Sequence, residues 1–289
     1  MVIRQISILG VGLLGGSIGL AAKSALSDVE IVGYGHRKST LERGIEVGAI
    51  DRAVMGVTEA VEGADLVILC TPVGIFERLI GEMRGGLKAG AVVSDVGSTK
   101  RSVVKVAEER LAAGVHFVGS HPMAGSEKRG VEFARADLFA GATCILTPTG
   151  RTDAGAIGAV EGFWKSLGMR CTRLSPEEHD RLLAEVSHLP HAVAAALVSL
   201  QSEGALSLAG KGFLDATRIA GGDGGLWRDI LMDNKDNVLA SIGVLKERLG
   251  ELEKLLKGTE REELAKWLDG AAARRAKLVE LKLREINPD

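Results

Sequence analysis

The sequence predicts an α/β protein in two parts, a doubly wound parallel sheet over residues 1–172 and an all-helical segment over 173–289. Three observations carry this reading. Residues 6–19, ISILGVGLLGGSIG, are a run of β-formers that ends at Gly10 and opens into GxGxxG at Gly10, Gly12 and Gly15. Strand-like and helical patterns then alternate as far as about Thr172, the order that gives a parallel sheet flanked by helices. Beyond it, Leu174-Ser-Pro-Glu-Glu178 is a capping-box pattern, with Ser175 as cap, Pro176 at the first helical position and Glu178 three residues after the cap.

Strands are expected at 3–9, 29–34, 66–70, 91–93, 116–119 and 143–146, with helices between most of them. In the first turn, one glycine makes the bend, one lets the backbone approach a pyrophosphate, and one lets the new helix pack on its strand. The free N–H groups of that helix then face the phosphates. Gly10, Gly12, Leu13, Leu14 and Gly15 are therefore candidates for a dinucleotide, and the sheet is of the Rossmann type. A signal peptide with Arg4 as its charged region also fits the first residues, but the alternation after Lys23 favours the sheet. Ligands collect at the carboxyl ends of such strands, where this chain places GVGLLG, YGHRKST, CTPVGIF, SDVGSTK and GSHPMAGSEKRG. Cys70, Thr71 and Pro72 join the cofactor candidates on that ground.

From 175 to 286 the apolar spacing is helical and no strand is expected. Residues 177–208 are rich in Ala, Leu and Val on more than one face, so that helix wants burial on several sides, predicting a dimer interface. Residues 246–285 read as solvated amphipathic helix. A length of 289 residues, 46% of them hydrophobic, leaves room for two domains. The 36 basic and 38 acidic residues argue against nucleic acid as the main partner. No apolar run reads as long and glycine-free enough to cross a membrane. Three cysteines, far apart in sequence and without a CxxC pair, predict neither a disulfide framework nor structural zinc, and a cytoplasmic home.

GSHPMAGSEKRGVEFARADLFAG (119–141), EEHDRLLAEVSHLPH (177–191) and GFLDATRIA (212–220) together resemble the prephenate and arogenate dehydrogenases of tyrosine biosynthesis. The resemblance runs from the first strand to about Trp227. It implies an oxidative decarboxylation: a hydride leaves the ring carbon that bears the 4-hydroxyl, the ring carboxylate departs as carbon dioxide, and the ring becomes aromatic.

Oxidising an alcohol needs a base in reach of the hydroxyl while the carbon faces the nicotinamide. His121, expected just after a strand and held by Pro122, is that candidate. By resemblance, Ser98 bridges it to the substrate or cofactor; the plainer reading is a helix cap. The substrate's side-chain carboxylate is a spectator suited to a guanidinium, for which Arg218 is the candidate. The ring carboxylate must lose its charge, so a cation fixed on it would oppose the reaction. No metal is required, because the electrons released flow through the ring to the new carbonyl. His188 and His191 lie three apart and could share a helical face, but Pro190 is expected to interrupt the helix between them and no nearby acidic residue completes a site, so zinc is not expected. The resemblance puts His191 at the substrate pocket, with His188 a buried structural residue. His179 with Asp180, and Glu127, are expected in a charged network that gates the pocket around Arg218; surface salt bridges are the alternative. Trp227 reads equally as pocket wall or core.

An NAD enzyme usually places an acid at the end of the second strand, about 20 residues after the glycines. Here Gly35 falls there, followed by His36, Arg37 and Lys38, with Ser39 and Thr40 as hydroxyl donors. That cluster suits a 2′-phosphate, so NADP is favoured and NAD remains possible. Two other functions stay open: a β-hydroxyacid dehydrogenase, whose base is usually a lysine on the interdomain helix where this chain has SHLPH, and a non-enzymatic dinucleotide sensor. The chain is expected to carry neither a chorismate mutase extension nor a small regulatory domain, so tyrosine inhibition would act at the active site.

Overall fold

The computed structural model describes residues 2–125, 128–259 and 261–286. Eight strands form one sheet: β1 (Gln5–Leu9), β2 (Glu30–Tyr34), β3 (Arg52–Val54), β4 (Leu66–Leu69), β5 (Val92–Asp95), β6 (His116–Pro122), β7 (Thr143–Thr147) and β8 (Arg170–Arg173), in the order β3-β2-β1-β4-β5-β6-β7-β8. All neighbours are parallel except β6 and β7, which run antiparallel, so the sheet is parallel-dominated rather than wholly parallel. The central strands read as unbroken apolar runs because helices cover both faces, and all of LVIL in β4 is buried.

The helices are α1 (Leu13–Ala25), α2 (Lys38–Glu46), α3 (Val57–Val61), α4 (Phe76–Met83), α5 (Arg101–Arg110), α6 (Ala154–Ser166), α7 (Pro176–Leu183), α8 (Leu189–Ser199), α9 (Glu203–Leu206), α10 (Lys211–Thr217), α11 (Gly224–Asp233), α12 (Lys235–Lys257) and α13 (Arg261–Ile286). One face of the sheet packs on Ile18, Ala21 and Ala22 of α1 and on Val160, Phe163 and Trp164 of α6. The other packs on Phe76, Leu79, Ile80 and Met83 of α4 and Val103, Val104 and Ala107 of α5. Trp164 is wholly buried, and its Nε1 donates to Ser120 Oγ at 3.1 Å, so its polar atom is satisfied inside the core.

The chain divides into two compact units, Met1–Asn237 and Val238–Asp289. The first holds the whole sheet and the helices as far as α11; the second holds most of α12 and all of α13. Ser175 caps α7 as its pattern requires, accepting from Glu178 N at 3.1 Å.

Pro190 does not interrupt the helix that carries it. α7, a π-helical turn over Ala184–His188 and α8 run on as one helix, Pro176–Ser199. Proline lacks the N–H of an α-turn and its ring crowds the preceding turn; the wider π-turn just before it relieves both demands. This helix is also long and apolar enough, by length and composition alone, to cross a membrane, which corrects the expectation that no such run exists. His179, Asp180, His188 and His191 are all buried along it, while Val186 and Val193 are exposed. Cys144 and Cys171, distant in sequence, stand opposite each other on β7 and β8, and all three cysteines are free.

Candidate active site

The order of strands reverses between β1 and β4, which opens a crevice at their carboxyl ends. Gly10 lies there with φ +116°, a conformation that only glycine adopts easily, and a Cβ on it would strike Cys70 and Thr71 at 2.8 Å. Gly15 admits no side chain either, since its Cβ would lie 2.1 Å from Gly10 O, whereas Gly12 faces open space. Turn, close packing and ligand approach thus fall on the three glycines as the motif requires. Thr71 Oγ1 is buried beside them without a hydrogen-bond partner among the described residues. Leu13 and Leu14 open α1 half-buried, and Pro72 is exposed beyond Thr71. These residues fit a nicotinamide dinucleotide. At the end of β2, His36, Arg37 and Lys38 are exposed, Thr40 is half-buried, and a Cβ at Gly35 would press on Leu41 at 3.3 Å.

His121 is the second-last residue of β6, not a loop residue after it. Residues 116–118 pair with β5 and 119–122 with β7, where His121 stands opposite Ile145, so the strand is anchored by β5 first and by β7 at His121. Its Nδ1 lies 2.9 Å from Nε2 of His179, and Nδ1 of His179 lies 2.8 Å from Oδ1 of Asp180. The carboxylate of Asp180 also accepts from Lys100 N at 2.8 Å and Arg101 N at 3.0 Å, which holds it at the start of α5. Asn234 Nδ2 donates to Asp180 O at 2.6 Å and lies 3.1 Å from His188 Nδ1. Lys100 is wholly buried with its ammonium on Asp95, whose other oxygen accepts from Ser120 N at 3.0 Å, one residue before His121.

Burial holds His121 well below the ordinary histidine range, aided by the nearby His179, Lys100 and His188. Burial likewise lowers His179, although Asp180 pulls the other way. Asp180 itself is lowered: burial opposes its ionisation, but the hydrogen bonds from His179, Arg101 and Lys100 outweigh it. The result is a pair of neutral imidazoles backed by a carboxylate, all out of water.

Several expected site residues lie elsewhere than anticipated. Ser98 is half-buried and makes no hydrogen bond to His121 among the described residues; His179 occupies the orienting position instead, and the cap of α5 is Lys100 rather than Ser98. Among the described residues His179 and Asp180 form no network with Arg218; both are buried, with His179 on His121. Glu127 lies outside the described residues. Arg218 is exposed on a 3₁₀ turn, Arg218–Gly221, with no ion pair among the described residues. The ion pair that joins the loop after β6 to α11 is Arg129 with Asp223, at 2.6 Å.

His191 is buried and stacked on half-buried Trp227, centroids 3.5 Å apart and rings 10° from parallel, with its Nδ1 buried and unpartnered among the described residues. His188 is buried and bonded to Asn234, so the two histidines have different neighbours. Asp180 as anchor, Asn234, and the Lys100–Asp95 pair were not foreseen. The available signal was an Asp directly after a His near the start of a capped amphipathic helix.

The profile described as "Prephenate dehydrogenase, nucleotide-binding domain" matches residues 18–173, and "Prephenate dehydrogenase, dimerization domain" matches 175–270. Prephenate dehydrogenase of Bacillus subtilis is 39% identical over 241 residues, covering 81% of this chain; the chain spans 65% of that relative's length. Cyclohexadienyl dehydrogenase of Zymomonas mobilis is 34% identical over 88% of each chain. A crystal structure of prephenate dehydrogenase from A. aeolicus, in complex with hydroxyphenyl propionate and NAD+, superposes with TM-score 0.90 at 34% identity, covering 95% of this chain and 98% of that one. Sequence motifs, sheet order and these likenesses agree: the chain belongs to the prephenate dehydrogenase family.

Proposed function

We propose that this chain oxidatively decarboxylates prephenate to 4-hydroxyphenylpyruvate with a nicotinamide dinucleotide as oxidant. The observation that carries the reading is the His121–His179–Asp180 chain at the carboxyl edge of the sheet, which leaves a neutral imidazole beside the dinucleotide crevice. When bound, the cofactor accepts the hydride from the hydroxyl-bearing ring carbon. His121 takes the hydroxyl proton as that carbon becomes a carbonyl, and returns it to the same oxygen when loss of carbon dioxide pushes electrons back through the ring. No proton is gained or lost overall, so one base serves both steps.

Gly10, Gly12, Leu13, Leu14, Gly15, Cys70, Thr71 and Pro72 would hold the pyrophosphate and nicotinamide half. His36, Arg37, Lys38 and Thr40 would take the ribose end, where the absence of an acid at Gly35 supports NADP over NAD. Ser98, with a hydroxyl that bonds nothing among the described residues, would bridge His121 to the substrate. Arg218 would hold the side-chain carboxylate, with Glu127 placed by resemblance in the gate beside it. His191 and Trp227 would form the pocket wall. The functional segments meet at 172–173.

Exposed Leu200, Leu208 and Leu214, with the dimerisation profile, support a homodimer through the helical part. A cytoplasmic location fits the unpaired cysteines and the biosynthetic relatives. Arogenate is the second substrate in this reading, supported by the Zymomonas relative's name. The test is reduced-cofactor formation by the full chain with prephenate or arogenate and NADP or NAD. Prephenate with NADP should give the highest kcat/KM. A tenfold preference for arogenate, about 1.4 kcal/mol, would reverse the substrate order, and no turnover on either would end the proposal.

A further inference from the structure

We infer that His179 is a positioning residue: with Asp180 behind it, it fixes the tautomer of His121, putting the proton on Nδ1 and the reactive lone pair on Nε2. This rests on His121 being the base of the proposed reaction. The argument runs from one end of the chain of hydrogen bonds to the other. An ionised carboxylate only accepts. Asp180 is surrounded by donors: Lys100 N, Arg101 N and, at 3.4 Å, Arg101 Nε. The hydrogen in the 2.8 Å contact to His179 therefore sits on Nδ1 of His179. A neutral His179 then has its lone pair on Nε2, so the hydrogen in the 2.9 Å contact belongs to His121 Nδ1. That leaves Nε2 of His121 unprotonated.

The alternative needs a doubly protonated His179, which would donate to His121 Nδ1 and force a proton onto Nε2, abolishing the base. The charged groups around the pair oppose it. Lys100 from the loop before α5 repels a second positive charge, and burial of His179 is complete. Asp95 of β5 is spent on Lys100, and His188 of the π-turn is bonded to Asn234. On β7, the Cys144 thiol is pushed up by burial and stays neutral. The logic resembles a serine protease triad, where a carboxylate sets the tautomer of the base through one hydrogen bond; here a second imidazole is interposed.

Two measurements on the full chain decide it. In ¹⁵N-histidine NMR at neutral pH, with His121→Asn used to assign the signal, His121 should show the Nδ1–H tautomer; the Nε2–H tautomer overturns the inference. In steady-state kinetics, His179→Leu should lower kcat for prephenate about 10²-fold, the low end of what a general base contributes, with KM nearly unchanged. His179→Gln offers a carbonyl where Nε2 stood and should stay within about tenfold of the original kcat, because an acceptor for the Nδ1 hydrogen is what matters. Equal activity of the Leu variant and the unaltered enzyme overturns the inference, as does equal loss in both variants. If His179→Leu does not fold, the tautomer in the unaltered protein still decides. The NMR result does not depend on substrate, so it separates failure of this inference from failure of the proposed reaction.

Discussion

Two groups of polar residues flank the candidate site, and they differ in how they meet water. Behind the sheet edge, Asp95, Lys100, His179, Asp180 and Asn234 are all but sealed, each with named partners. On the rim, His36, Arg37, Lys38, Arg129 and Arg218 are exposed, and Arg129 pairs with the partly exposed Asp223. Removing one member of a sealed pair strands a charge in low dielectric, while an exposed pair is screened and worth little. The sealed group therefore fixes geometry, and the rim is left to meet ligands.

The largest expected effect breaks the sealed group. Asp95→Asn should cost about 3–5 kcal/mol of stability by urea denaturation, since it leaves the Lys100 ammonium buried without a counter-ion. Arg129→Ala should cost less than about 1 kcal/mol. Similar losses in the two variants would erase the contrast.

A second difference shows in acid. Burial pushes His188 down to about 4, so below pH ~6.5 the unfolded chain binds a proton that the folded chain refuses. Stability from this group is complete above pH ~6.5 and is lost as pH falls towards 4, by about 3 kcal/mol at roughly 1.36 kcal/mol per pH unit. His121 and His179 act in the same direction. A urea midpoint independent of pH between 6.5 and 4 would mean that these imidazoles are not held neutral.

Much of this was legible in the sequence, but unevenly. The glycine turn was, because each glycine answers a local backbone demand at Gly10, Gly12 and Gly15. Strands β3 and β8 were not: Arg52–Val54 is three residues long, and Arg170–Arg173 reads RCTR because an edge strand can face water. His121 stood out in the sequence as the candidate base, yet its partner did not. His179 is 58 residues away, and the packing of α7 against α5 and β7 brings them together. The two exposed cations, Arg37 and Arg218, remain arguments from chemistry and resemblance, because an exposed side chain with no partner carries little structural signature.

On the rim, Arg218→Ala should raise KM for prephenate about tenfold to a hundredfold and leave kcat within a few-fold, since a spectator carboxylate is held equally in ground and transition states. The change corresponds to a charged hydrogen bond of ~1.5–3 kcal/mol. An unchanged KM would assign the carboxylate to another cation.

The central claim is that a neutral His121, held by buried partners, is the base. The pH dependence of kcat/KM for prephenate tests it most directly, because that quantity reports ionisations of the free enzyme. Activity requires the unprotonated ring, and burial lowers its pKa, so kcat/KM should be flat above pH ~6.5 and fall only below it. His121→Asn should lower kcat about 10²–10⁴-fold and abolish that acid limb. An acid limb that survives unchanged in His121→Asn would contradict the account.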